Sequence, residues 1–65
     1  MRQALINIRK EMKMTQKETS ELIGVSLRMY QYLEQGKREG KGWIWDRISK
    51  TFATDQSILR QIVRK

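Results

Sequence analysis

The fold of this chain is decided by residues 14–36, which read MTQKETSELIGVSLRMYQYLEQG. The hydroxyl of Thr15 can cap a helix while Glu18, three positions on, reaches back to the amide of Thr15, the reciprocal arrangement of a capping box. Gly24 predicts the end of this helix, because glycine adopts a positive φ at no steric cost. The first half of the stretch is therefore a short helix followed by a tight turn.

The second half predicts another helix. Ser26 is a preferred N-cap residue, and Gly36 stands where helices commonly end. At 100° per residue, this helix has one side for a core and an opposite side that is free. The core side carries Val25, Tyr30 and Leu33, and the free side carries Arg28, Gln31, Tyr32 and Gln35.

The segment before this motif predicts an amphipathic helix. Between Arg2 and Lys13, apolar residues recur at Leu5, Ile8 and Met12, three and four positions apart. Ile6 falls off this stripe, so we expect it to be exposed.

The segments after the motif predict a loop and two more helices. Residues 36–42 hold three glycines and four charged residues, a composition typical of a loop. A fourth helix over 43–52 would bury Ile44 or Trp45, Ile48 and Phe52. A fifth helix, capped by Thr54 or Asp55, would bury Ile58, Leu59 and Ile62.

Composition limits the class of protein. Sixty-five residues make one domain, and such a chain buries about 60% of the surface that its unfolded form exposes. The absence of cysteine and histidine excludes disulfides, thiol chemistry and the usual zinc sites, and we expect no cofactor. A net charge of +7 and a pI near 10.3 indicate a polyanionic partner. No apolar run approaches a membrane span and no signal-like segment begins the chain, so a soluble, cytoplasmic protein is expected.

Several features of the motif occur in one register: Gln16, the Gly24-Val25-Ser26 turn, the Leu33-Glu34 pair and Gly36. In this register the chain resembles the Cro/C1 (Xre) family of phage repressors and bacterial regulators. The resemblance implies an all-α, compact five-helix domain over residues 1–65, with its helix-turn-helix at 15–36. Thr19 and Ser20 depart from the family, which usually has leucine and alanine there, so the two motif helices are expected to pack more weakly or in a more polar way.

The resemblance also implies a site. Base contacts are expected just after the serine cap and one turn further on, at Leu27, Arg28, Met29 and Tyr32. The planar guanidinium group of Arg28 matches the O6 and N7 acceptors of guanine. Leu27 and Met29 offer only apolar contact, for example to a thymine methyl. Expected phosphate contacts are Gln16, Lys17, Ser26, Lys37, Arg38 and Lys41. The family also implies a structural salt bridge between Arg9 and Glu34, which the helical wheel permits.

Each of these roles has a simpler alternative. Arg28 can be one solvated charge on a basic surface, and Tyr32 can stack on the protein. Lys37, its neighbour Arg38 and Lys41 can be merely solubilising. Trp43 and Trp45, two apart, point to different sides of their helix, so Trp43 is expected to stay exposed and to mark a protein contact.

The sequence therefore predicts a sequence-specific, double-stranded DNA-binding transcription regulator, a small phage or mobile-element repressor that reads the major groove with helix 26–35. A weak homodimer would pair on DNA. The alternative is a helix-turn-helix interaction module that binds another regulator protein, with weak or no DNA binding. An enzyme is not expected, because neither an acid–base pair nor an activated nucleophile can be found.

Overall fold

Five α-helices follow one another in residues 1–62, the part of the chain that the computed structural model describes. They are α1 (Gln3–Glu11), α2 (Gln16–Ile23), α3 (Leu27–Gln35), α4 (Gly42–Phe52) and α5 (Gln56–Leu59). This confirms the predicted all-α, five-helix class. The predicted domain end at residue 65 lies outside the described residues. Within 1–62, none of the helices is both long enough and apolar enough to cross a membrane.

Local caps form the helix-turn-helix. The Thr15 hydroxyl accepts from the Glu18 amide at 3.0 Å, and the Glu18 carboxylate accepts from the Thr15 amide at 2.9 Å. Gly24 ends α2 in the left-handed region, with φ +89°. Ser26 caps α3 by accepting from the Met29 amide at 3.1 Å. Each cap uses residues within four positions of one another, which is why the motif can be predicted from sequence.

The core lies where the inner sides of the five helices meet. Burial of each large apolar side chain contributes about 1.5–3 kcal/mol. The two departures from the family in α2 are buried as well, and their hydroxyls donate to carbonyls one turn back: Thr19 to Thr15 at 2.9 Å and Ser20 to Lys17 at 2.7 Å. The core cluster contains Leu5, Ile23, Tyr30, Leu33, Ile44, Trp45, Ile48, Phe52 and Leu59.

The predicted stripe of α1 needs correction. Ile6, expected to be exposed, is buried, whereas Met12 is exposed and lies just past the end of the helix. The physical reason is that α1 packs against both α3 and α5, so it buries a wider arc than a single apolar stripe. Leu5 lies at the centre of that arc and Ile8 at its edge.

The predicted fifth helix is also corrected. Asp55 caps α5, its carboxylate accepting from the Ser57 amide at 2.8 Å, but the helix has only four residues. A helix of little more than one turn has too few positions to bury a full stripe. Leu59 is therefore buried while Ile58 is exposed, and Ile62 lies beyond the helix, half-buried.

Candidate nucleic-acid interface

The helix that the sequence assigns to DNA reading is α3, and both of its ends are held locally. Ser26 adopts an extended backbone before the first turn. Gly36, with φ +79°, ends the helix, and its amide donates to the Leu33 carbonyl at 3.3 Å. Tyr30, Leu33 and Glu34 are buried on the inner side of α3. The buried inner side of α3 therefore fixes the position of this helix in the domain.

The opposite side of the first turns is open. Leu27 is 39% exposed, and Arg28 is exposed beside it. Tyr32 is half-buried. Met29 is half-buried too, because it packs against the core cluster. Among the four predicted base-contact residues, Leu27 and Arg28 thus present the most free surface, and Met29 gives part of its side chain to the core.

Two cations gather over the ring of Tyr32. The Lys37 ammonium lies 6.0 Å from the ring centroid and the Arg38 guanidinium carbon lies 5.9 Å from it, both at cation–π distance. Positive charge is therefore concentrated beside the open side of α3. A shallow depression at this place is lined by Ser26, Arg28, Met29, Tyr32 and Arg38.

Residues 37–41, here called the basic loop, cross the end of the core. Gly40 adopts φ +77°, and a Cβ there would lie 2.8 Å from Leu33 Cδ2 and 3.0 Å from Trp45 Nε1. A larger residue here would force the loop or the buried side chains beneath it to shift. The Trp45 indole N–H also donates to the Glu39 carbonyl at 2.7 Å. The predicted phosphate-binding side chains Lys37, Arg38 and Lys41 are all exposed on this anchored loop.

Near the start of α2, the two predicted phosphate contacts differ in their surroundings. Lys17 is exposed. The Gln16 amide nitrogen donates to Glu34 at 2.9 Å, and its oxygen accepts from Gln31 at 3.2 Å. Gln16 therefore belongs to a hydrogen-bonded group of side chains that joins α2 to α3. This group, here called the frame, consists of Arg9, Gln16, Gln31 and Glu34. An amide nitrogen carries a second hydrogen, and its contact with a phosphate stays a prediction.

The Arg9–Glu34 pair that the resemblance implies lies in contact in the structure. Arg9 Nε lies 2.6 Å from Glu34 Oε2, and Arg9 Nη2 lies 3.4 Å from Oε1. Burial lowers the pKa of Arg9, but the hydrogen bond and charge of Glu34 outweigh burial, so the pKa is raised overall. Burial, and then the adjacent Glu34 carboxylate, raise the pKa of the Tyr30 phenol. A further bond from Arg9 to the Met14 carbonyl at 2.9 Å ties α1 to the segment before α2.

The sequence analysis missed Arg2, which is only 1% exposed. Its backbone amide donates to the Glu34 carbonyl at 2.8 Å. Its side chain donates to the carbonyls of Leu33 at 2.7 Å, Arg38 at 2.8 Å and Arg60 at 3.2 Å. No local pattern marks this residue, because all of these partners lie more than thirty positions away along the chain.

The two tryptophans of α4 separate as expected. Trp45 is fully buried, whereas Trp43 is 45% exposed. The Arg47 guanidinium lies 5.0 Å from the Trp43 ring and also donates to the Ile23 carbonyl at the end of α2, at 3.0 Å. Trp43 is therefore a supported, partly open ring, and its role as a protein contact stays a prediction.

Comparison with known proteins adds one finding. The family model described as helix-turn-helix matches residues 5–40, more than half of the chain. Searches of curated proteins and of solved structures found no match. The matched range covers nearly all of α1, all of α2 and α3, and most of the basic loop, so it includes the open side of α3. The chain belongs to the Cro/C1-type helix-turn-helix family of DNA-binding regulators.

Proposed function

We propose that this protein is a sequence-specific transcription regulator that binds double-stranded DNA and reads the major groove with helix 26–35. The observation that carries the proposal is the division of α3 into two sides. Tyr30 and Leu33 are buried, while Leu27 and Arg28 project from the first turn of the same helix. A major groove about 12 Å wide admits a helix presented in this way.

Base reading is assigned to the open side of α3. Arg28 donates from its planar fork to O6 and N7 of a guanine, the commonest specific contact of an arginine in the major groove. Leu27 and the free part of Met29 contact thymine methyl groups. Tyr32 lies one turn further along α3, at the edge of this surface. Its ring lies beside the cations of Lys37 and Arg38 in the basic loop.

Phosphate contacts are assigned to residues on both sides of α3. The N-terminal end of α2 provides backbone N–H groups and the partial positive charge of the helix dipole, which favour an anion. The basic loop provides exposed cations after the C-terminal end of α3. These contacts fix the orientation of the protein on DNA but carry no base preference. The residues assigned to phosphates are Gln16, Lys17, Ser26, Lys37, Arg38 and Lys41.

The experiment that tests this proposal is a selection of bound duplexes from a random pool, followed by a salt titration on the recovered site. Four of the assigned phosphate contacts are cationic, so log K should fall with log salt at a slope of about −3 to −4, at −0.9 per neutralised phosphate. If the selection enriches no sequence and the salt slope is near zero, the proposed sequence-specific DNA binding is refuted.

The finer assignment, a small repressor of phage or mobile-element type, rests on the resemblance to phage repressors. A repressor of this kind would act by occupying a site that overlaps a promoter. In a reporter strain, expression of the protein should lower output from a promoter that contains the selected site. Arg28→Ala should restore that output. Unchanged or increased output with the parent protein would contradict a repressor.

A second candidate is an interaction module that binds another regulator protein and has weak or no DNA binding. The exposed ring of Trp43 favours this alternative, because large aromatic side chains are enriched in protein interfaces. The duplex selection separates the two candidates. An interaction module enriches no sequence, and its salt slope is near zero.

A further inference from the structure

Arg2 is a buried cation with an unusually complete set of partners. One nitrogen, Nη1, donates both to the Leu33 carbonyl in the last turns of α3 and to the Arg38 carbonyl in the basic loop. Because a single atom makes both bonds, it fixes the spacing between the end of α3 and the loop. Nε donates to the Arg60 carbonyl, so the same side chain also reaches the end of α5.

The rest of the Arg2 guanidinium lies against the anchor of the loop. Its carbon is 5.1 Å from the centroid of the Trp45 ring, and Nη2 is 3.8 Å from the Glu39 carboxylate. The Trp45 indole holds the Glu39 carbonyl. Two stacked side chains therefore hold two consecutive carbonyls, those of Arg38 and Glu39.

The geometry points to Arg2 as a positioning residue that holds the basic loop in register with the end of α3 and so sets its phosphate contacts. Arg2 itself is buried and does not touch DNA. This inference rests on the proposed function, because it concerns the same DNA interface. An arginine is required here, since an ammonium group has no fork that reaches Leu33, Arg38 and Arg60 together.

The test compares four variants, each at a temperature where circular dichroism shows it to be folded. Arg2→Lys keeps the charge but loses the fork, and Arg2→Met loses both. Lys10→Met removes an exposed cation from α1, the helix that follows Arg2, as a matched control for charge. Ile6→Ala destabilises α1 from its buried side and leaves the loop contacts intact, as a matched control for stability.

Two measurements are made on each variant. The first is hydrogen exchange of the Trp45 indole N–H in the free protein, with the Trp43 indole as internal reference. The second is the affinity and salt slope on the selected duplex and on a random duplex. Arg2→Lys and Arg2→Met should speed exchange at Trp45. Both should weaken binding to the two duplexes by the same factor, about tenfold, and reduce the salt slope by about 1, as for a lost phosphate contact.

Lys10→Met should change neither the Trp45 exchange nor the affinity for either duplex. Ile6→Ala should melt earlier and should speed exchange at Trp45 only by the factor that its lost stability predicts, with both affinities unchanged. If Arg2→Lys matches the parent protein in both measurements, the inference is wrong, whether or not Arg2→Met folds. A parent protein that binds no duplex would instead refute the proposed function and, with it, the DNA role of Arg2. Loss of preference for the selected duplex, rather than equal weakening, would also overturn the inference, because it would place Arg2 in base reading.

Discussion

Replacement of Glu34 by glutamine tests the frame that holds α3. Glu34 is 3% exposed, and its carboxylate accepts hydrogen bonds from Arg9 and from Gln16. Glutamine has the same shape but one acceptor oxygen and no charge. If that oxygen accepts from Arg9, the new amide nitrogen faces the Gln16 side chain. The Gln16 amide must then rotate so that its oxygen accepts from this nitrogen. The Gln31 amide must rotate in turn so that its oxygen accepts from Gln16. Hydrogen bonds can be recovered in this way, but the countercharge of Arg9 cannot.

The magnitude follows from the burial of the pair. Removal of one partner from a fully buried ion pair costs about 3–5 kcal/mol. Glutamine keeps one neutral bond to Arg9, and a hydrogen bond to a charged group is worth about 1.5–3 kcal/mol. The difference between these two ranges is centred near 2 kcal/mol, so we expect Glu34→Gln to lower the free energy of unfolding by about 2 kcal/mol. For a domain of this size, this corresponds to a fall in Tm of about 8–16 °C.

The assay is thermal unfolding followed by circular dichroism, with Glu21→Gln as the control. Glu21 is an exposed glutamate, so this variant makes the same change in net charge without removing a buried pair. DNA affinity is then measured well below both melting temperatures, where Glu34→Gln should bind nearly as the parent protein does. If it melted like the parent protein but lost DNA binding, Glu34 would belong to the interface and the reasoning would be refuted.

The DNA interface, the helix caps and the oligomeric state each give a further prediction. Arg28→Ala should weaken binding to the selected site by about 1–3 kcal/mol and remove the preference at one base position. Lys37→Ala should weaken binding to all duplexes alike and reduce the salt slope by about 1. If the two variants gave the same binding profile, the division into base and phosphate contacts would be wrong. Bonds from the Thr15 amide and hydroxyl lower the pKa of Glu18, and bonds from the Ser57 hydroxyl and amide lower the pKa of Asp55. Both carboxylates therefore add stability that is fully present above the ordinary carboxyl pKa of about 4. This stability is lost as the pH falls through their lower pKa values in the folded protein. The urea midpoint of unfolding should therefore drop in acid, and it should drop less in Glu18→Gln. Sedimentation should find a monomer or weak dimer that pairs on half-sites about 34–36 Å apart; a tight dimer without DNA would contradict this.

The helix-turn-helix could be predicted from local sequence alone. Thr15 with Glu18, then Gly24, then Ser26 each act on backbone groups no more than four positions away. Such interactions form in the same way whatever the rest of the chain does, so they can be predicted from residue types and spacing. The open side of α3 followed from helical geometry, once the caps had set where the helix begins.

Which parts of α1 and α5 enter the core, and what the polar side chains of the frame contact, depends on the packing of the whole chain. Ile6 is buried and Ile58 exposed, against the stripes, because burial depends on how many neighbouring helices a face meets. Gln16 joins Glu34, and Arg2 joins three carbonyls 31, 36 and 58 positions away. A charged side chain is buried only where the folded chain brings enough acceptors to one point, and no local spacing contains that information.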